Sequence, residues 1–189
     1  MTLKKLFGQL DGIRSRVQIP LVMMGYLNPI MQYGFENFCR SCSECGVDGA
    51  IIPDLPLENY IEEYRPVARR YDIRMIMLIT PETSPERIRL IDRYTDGFIY
   101  MVSAASVTGF RQFGVREEEY FRRIAQMGLE NPLMIGFGIS DKQSYETAAA
   151  HACGAIIGSK YVRLLEESGG DAHAAAVALL KAIGRTEEE

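Results

Sequence analysis

The sequence predicts an α/β chain built on parallel strands, and three observations carry that prediction. Six short runs, at 19–25, 49–54, 73–80, 97–103, 132–138 and 154–159, are nearly continuous in apolar residues. Strands with one wet face alternate apolar and polar residues, whereas unbroken runs suit parallel strands covered on both faces. Longer segments with helical spacing separate the runs, near 29–45, 57–70, 85–93, 117–127 and 141–151, with two more after 160. Such alternation folds as a parallel sheet flanked by helices. The third observation is how the last two runs end: PLMIGFGIS (132–140) and CGAIIGSK (153–160) each close on Gly and Ser just before a helical pattern. Glycine admits close approach of a ligand to the backbone, and a helix start offers unpaired N–H groups and partial positive charge. Two such ends side by side form a cup for a phosphate, as the loops after the seventh and eighth strands of a (β/α)8 barrel commonly do.

Each element has a local reason. At the N-terminus Leu3, Leu6, Phe7, Leu10 and Ile13 follow helical spacing, and charges interrupt the segment too often for a signal peptide. Ser84-Pro85 offers a cap and an N1 proline, and Ser140 with Gln143 reads as a capping box. Cys39, Cys42 and Cys45 are spaced like part of an iron–sulfur ligand run, but the rest of that motif does not follow. Phe35, Phe38, Cys39 and Cys42 instead share one stripe of an amphipathic helix, where a thiol packs as a small hydrophobe. His151 and His173 lack neighbours suited to metal ligation, so no metal site is expected. With 189 residues, 47% of them hydrophobic, the chain is read as one domain spanning 1–189. A net charge of −4, with no dense basic block, argues against nucleic acid as the main partner. No run reaches the length of a membrane span, and a cytoplasmic enzyme or subunit is the expectation.

At this point the chain resembles the alpha subunit of tryptophan synthase. The landmarks appear in order: PLVMMGYLNPIMQYG (20–34), GVDGAIIPDLPLE (46–58), FIYMVSAASVTG (98–109), MIGFGIS (134–140) and GAIIGS (154–159). The resemblance spans essentially the whole chain and implies a TIM (β/α)8 barrel, incomplete here, with about six βα units corresponding to strands three to eight. It implies retro-aldol cleavage of indole-3-glycerol phosphate to indole and glyceraldehyde 3-phosphate, with an acid protonating the indole ring carbon and a base taking a proton from the glycerol hydroxyl. It further implies a beta subunit in an alpha2-beta2 heterotetramer, carrying pyridoxal phosphate and joining indole to serine, with no cofactor in the alpha subunit itself.

Residue by residue, the resemblance implies a phosphate site at Thr108 and Gly109, at Gly136 and Gly138, and at Gly158 and Ser159. Tyr100 matches a tyrosine close to the substrate, an auxiliary to the chemistry. Asp54 matches an aspartate near the face that meets the beta subunit, and Tyr26 and Asn28 lie in a loop on that face. The family's catalytic pair, a glutamate ending the second strand and an aspartate in the following loop, has no counterpart in these residues. The first two βα units, roughly 60–80 residues at about 30 per unit, are expected to be absent. Glu82 is read as a polar loop residue with capping duties rather than a substitute acid. Residues 1–189 alone are therefore expected to cleave indole-3-glycerol phosphate little or not at all. Two alternatives stand beside this reading: a non-catalytic module that binds phosphate or the beta subunit, and another phosphate-binding barrel, such as an isomerase.

Overall fold

The computed structural model describes residues 2–103 and 113–186. These carry six parallel strands in two compact units, Met1–Leu78 with Leu90–Phe98, and Ile79–Arg89 with Ile99–Glu189.

In the first unit β1 (Val22–Met24), β2 (Gly49–Ile51) and β3 (Arg74–Ile79) run parallel, with Val22, Gly49 and Arg74 in register. Their helices are α1 (Leu3–Leu10), α2 (Leu27–Tyr33) and α3 (Phe35–Cys45), followed by α4 (Leu57–Asn59) and α5 (Arg65–Arg70). The expected helix over 29–45 is in fact two, because Gly34 adopts φ +90°, which an L side chain resists. The expected 57–70 helix is continuous but carries one π turn, Tyr60–Tyr64. Pro66 follows it and has no N–H to close a bond back toward Glu62, which accounts for a widened turn there.

The cysteine stripe is core. Cys39 and Cys42 have no exposed surface, and Cys42 Sγ lies 3.7 Å from Met23 Sδ. Burial, with help from Glu36, pushes the Cys39 thiol up to about 12, and burial raises Cys42 further. Both are protonated packing groups. Arg14 ties the entry of β1 to β2, donating to the carbonyls of Gly46, Val17 and Ile19 and pairing with Asp48. The Asp48 carboxylate also accepts the Leu21 N–H at 2.7 Å.

The first strand departs from cover on both faces, as the first strand of a barrel short of two strands is expected to. β1 is not covered on both faces: Val22 and Met24 stand exposed while Met23 turns toward α3. Among the described residues, β1 pairs only with β2, so the side of the strand away from α3 has no cover in its own unit.

In the second unit β4 (Ile99–Val102), β5 (Leu133–Gly136) and β6 (Gly154–Ile156) are parallel. Tyr100, Met134 and Gly154 are in register, as are Val102, Gly136 and Ile156. The α6 helix (Pro85–Tyr94) has residues assigned to each unit, with Ser84 Oγ accepting from Arg87 N–H as the Ser84-Pro85 signal requires. Glu82 is exposed and takes no part in that cap, so the capping expected of it falls to Ser84. The remaining helices are α7 (Val115–Ala125), α8 (Lys142–Ala149), α9 (Ser159–Glu167) and α10 (Ala172–Ala182). Ile99, Met101 and Ile135 share the helix-covered face and are fully buried. The other face alternates large and absent side chains: Tyr100 and Met134 lean over Gly136 and Gly154. No helix among the described residues is long and apolar enough to cross a membrane.

Candidate phosphate-binding site

Parallel strands place all their C-terminal ends on one edge, and loops at that edge carry the chemistry of barrel folds. In the second unit the edge is formed by Val102–Ser103, by Gly136–Gly138 and by Ile156–Ser159 (the ends of β4, β5 and β6). Register brings Gly136 beside Ile156, so the glycine turns at 136–138 and 158 are neighbours, as the sequence suggests.

The β5 turn is held from below. Ser103, fully buried, donates its N–H to Gly136 O at 3.3 Å and its Oγ to Phe137 O at 3.0 Å. Phe137 has φ +71°, a left-handed conformation that costs a non-glycine residue about 1–2 kcal/mol. Gly138 follows at φ +77°, where glycine carries no such cost. Phe137 is nevertheless 42% exposed, with its ring centroid 5.9 Å from that of Tyr100. Strain in an exposed aromatic at the end of a strand marks a place where the ring's direction matters.

Tyr100 itself is buried, and burial raises its hydroxyl above the ordinary range, so it is neutral at physiological pH. Its ring leans along the strand over Gly136: a Cβ there would lie 2.6 Å from Cε1, and closer to the hydroxyl. Gly136 therefore has a packing duty that the sequence reading did not separate from ligand approach.

Beyond the turn, α8 is capped one residue later than its sequence suggests. The N-cap is Asp141, not Ser140, and its partner in the box is Ser144, not Gln143. Asp141 Oδ1 accepts the Ser144 N–H at 2.8 Å, and the Ser144 hydroxyl accepts the N–H groups of Ser140 and Asp141. The Ser144 backbone N–H, then its hydroxyl, then the Gln143 N–H and the nearby Lys160 charge hold the Asp141 carboxyl below the usual range. The next helix differs. Gly158 stands before α9 with no side-chain cap, open space where a Cβ would be, and both Gly158 and Ser159 exposed. Four N–H groups at a helix start want acceptors, and a phosphate supplies them.

Thr108 and Gly109 lie outside the described residues. In the first unit, Asp54 Oδ1 accepts the Leu27 N–H at 2.8 Å, binding the start of α2 to the end of β2. Asp54 thus joins Tyr26 and Asn28 in one exposed cluster, with Tyr26, the N-cap of α2, 69% exposed. The carboxylates just past the strand ends are Asp54, Glu82 and Asp141: the first caps α2, the third caps α8, and Glu82 faces solvent. A cavity of about 670 Å³ in the first unit lies elsewhere, at the N-terminal ends of β1–β3 around Arg14, Asp48 and Arg74. That is the edge opposite to the one where parallel strands present catalytic loops.

Sequence reasoning missed Phe137, Ser103 and Lys160. The Gly-Phe-Gly triplet could have exposed the first, since an aromatic between two turn glycines has nowhere conventional to go.

A model of the tryptophan synthase alpha chain family matches residues 1–189. The tryptophan synthase alpha chain of Phocaeicola vulgatus is 66% identical over 184 residues, covering 97% of this chain and 71% of that one. Among solved structures, the tryptophan synthase A-subunit of Pyrococcus furiosus superposes with a TM-score of 0.83 at 28% identity, covering 97% of this chain and 74% of the other. The tryptophan synthase a2b2 complex of the same organism gives a TM-score of 0.82 at 29% identity, covering 100% and 75%. The expected barrel fold, represented by six of its βα units, is thereby confirmed.

Proposed function

The chain belongs to the tryptophan synthase alpha chain family, and on that premise we propose that residues 1–189 provide the phosphate-holding and partner-facing portion of a lyase subunit in tryptophan biosynthesis. The reaction proposed for the complete subunit is cleavage of indole-3-glycerol phosphate to indole and glyceraldehyde 3-phosphate. The other barrel chemistry considered, an isomerase, is displaced by the family match. The single observation that carries the site is the pair of neighbouring strand ends, one a pinned glycine turn at 136–138 and the other an uncapped helix start at Gly158–Ser159.

In this reading the phosphate sits at the end of β6, with the N–H groups of Gly158 and Ser159 and the Ser159 hydroxyl as donors. Such bonds to a charged acceptor contribute about 1.5–3 kcal/mol each. Gly138 shapes the neighbouring turn, and Thr108 and Gly109 are assigned to the same phosphate by the family resemblance alone. Phe137 and Tyr100 present a rigid aromatic wall to the indole. The Tyr26, Asn28 and Asp54 cluster faces a beta subunit, which brings the pyridoxal phosphate, in an alpha2-beta2 assembly in the cytoplasm.

In this reading Asp54, Glu82 and Asp141 do not act as the acid and base, since Asp54 and Asp141 cap helices and Glu82 is exposed. A positioned acid or base contributes roughly 10²–10⁴-fold in rate, and this reading assigns neither to residues 1–189. Purified residues 1–189 should bind glycerol 3-phosphate yet release indole from indole-3-glycerol phosphate at least about 10³-fold more slowly than an intact relative. Turnover at a comparable rate would refute this assignment of roles. Stimulation of indole–serine condensation on adding the chain to a beta subunit, without any lyase activity, would support a binding module alone.

A further inference from the structure

We propose that Lys160 is a charge-bearing part of the phosphate site, its ammonium shared between the Asp141 carboxylate and the bound dianion. This rests on the phosphate reading above and adds a residue that reading does not contain. Lys160 is the second residue of α9, directly after the exposed Ser159, and is itself half-buried. It makes no hydrogen bond or close ion pair with any described residue. Register places its loop next to that of Asp141, because Gly136 and Ile156 are paired and the two residues follow those positions by a few steps each. In keeping with that placement, the Lys160 charge adds a small share to the lowering of the Asp141 carboxyl, after the Ser144 N–H and hydroxyl and the Gln143 N–H.

A third, negative charge fits this arrangement. A cation in the first turn of a helix opposes the positive end of the helix dipole, and a carboxylate beside a phosphate site repels the ligand. Lys160 alone destabilises its helix, and Asp141 alone disfavours a dianion. With a phosphate over Gly158 and Ser159, the ammonium sits between two anions and both conflicts are relieved. The side chain also makes the site selective for the dianion over the monoanion of a phosphate ester, because its charge interaction scales with the ligand's.

The test is titration of residues 1–189 with inorganic phosphate and with glycerol 3-phosphate at two ionic strengths. Lys160→Ala and Lys160→Met should weaken binding about tenfold and flatten its salt dependence, while Lys160→Arg keeps both. Asp141→Asn should tighten binding severalfold. Thermal unfolding of the Lys160 variants should be unchanged or slightly raised, which separates a binding role from a structural one. If the parent chain binds neither ligand, the phosphate reading itself falls. If it binds and Lys160→Ala binds equally well with the same salt dependence, the inference about Lys160 is overturned. If the double variant Asp141→Asn/Lys160→Ala binds like the parent, Lys160 only neutralises Asp141, and the shared contact is refuted.

Discussion

The ends of β5 and β6 are neighbours in register, yet they dispose of their polar groups in opposite ways. At the end of β5, Ser103 engages the carbonyls of Gly136 and Phe137, and Asp141 with Ser144 closes the start of α8. At the end of β6, Gly158 has no cap, no neighbour where a side chain would be, and an exposed serine after it. The first end is complete without a ligand. The second leaves donors that only solvent or an anion can satisfy. The difference shows that a glycine turn is not one kind of feature: the same residue type serves internal packing in one place and access in the other.

Substitutions at the two ends should therefore behave differently. The largest effect is expected from Gly136→Val, which drives Cβ into the Tyr100 ring. Overpacking of this kind costs about 3 kcal/mol, or roughly 6–12 °C in Tm for a chain of this size, measurable by calorimetry. A Tm within a degree of the parent would mean that the ring is free to move, and the contrast would collapse. Next is Gly158→Asp, where open space predicts stability within about 0.5 kcal/mol of the parent. Phosphate binding should nevertheless fall at least about tenfold, since a fixed carboxylate would occupy the anion's place. Unaltered binding would show that the β6 end is not the site.

The smallest effect is that of Asp141→Ala, about 1 kcal/mol from loss of the N-cap. Its pH dependence has a definite sign. The carboxyl is held low in the folded chain, chiefly by the Ser144 N–H, so its contribution is full above the unfolded value of about 3.9. That contribution is lost as pH falls through the lower folded value. Denaturation midpoints of parent and variant should hence converge in acid and differ by a constant amount at neutral pH. A gap that persists in strong acid would assign the loss to something other than the carboxylate.

Much of this was legible in the sequence, for reasons that can be stated per residue. The six strand positions and the Ser84-Pro85 helix start survived because apolar runs and capping chemistry are local. The capping box at α8 slipped by one residue because Ser140 and Asp141 are both good caps, and only backbone geometry decides between them. The break at Gly34 was hidden because apolar spacing continues through it on either side. The exposure of Val22 and Met24 is readable in outline, since a barrel short of two strands leaves its first strand with an unpaired edge and an exposed apolar face. At the site, the glycines were found but not told apart: the duty of Gly136 depends on which way a tyrosine in register two residues earlier leans. Phe137 was passed over because nothing in an apolar run announces a left-handed backbone.

The seating of Tyr100 on Gly136 also governs the order in which this chain can change over generations. Any side chain at 136 is admissible only after the ring at 100 has become smaller. Shrinking the ring first leaves a hollow, at about 3 kcal/mol for loss of a buried aromatic. Both single steps are thus penalised while the joint change is far milder, the signature of sign epistasis. Tyr100 and Gly136, 36 positions apart in the sequence by their numbers, are therefore expected to change together. A lineage reaches a different pair there by double substitution, or through an intermediate whose stability is supplied elsewhere.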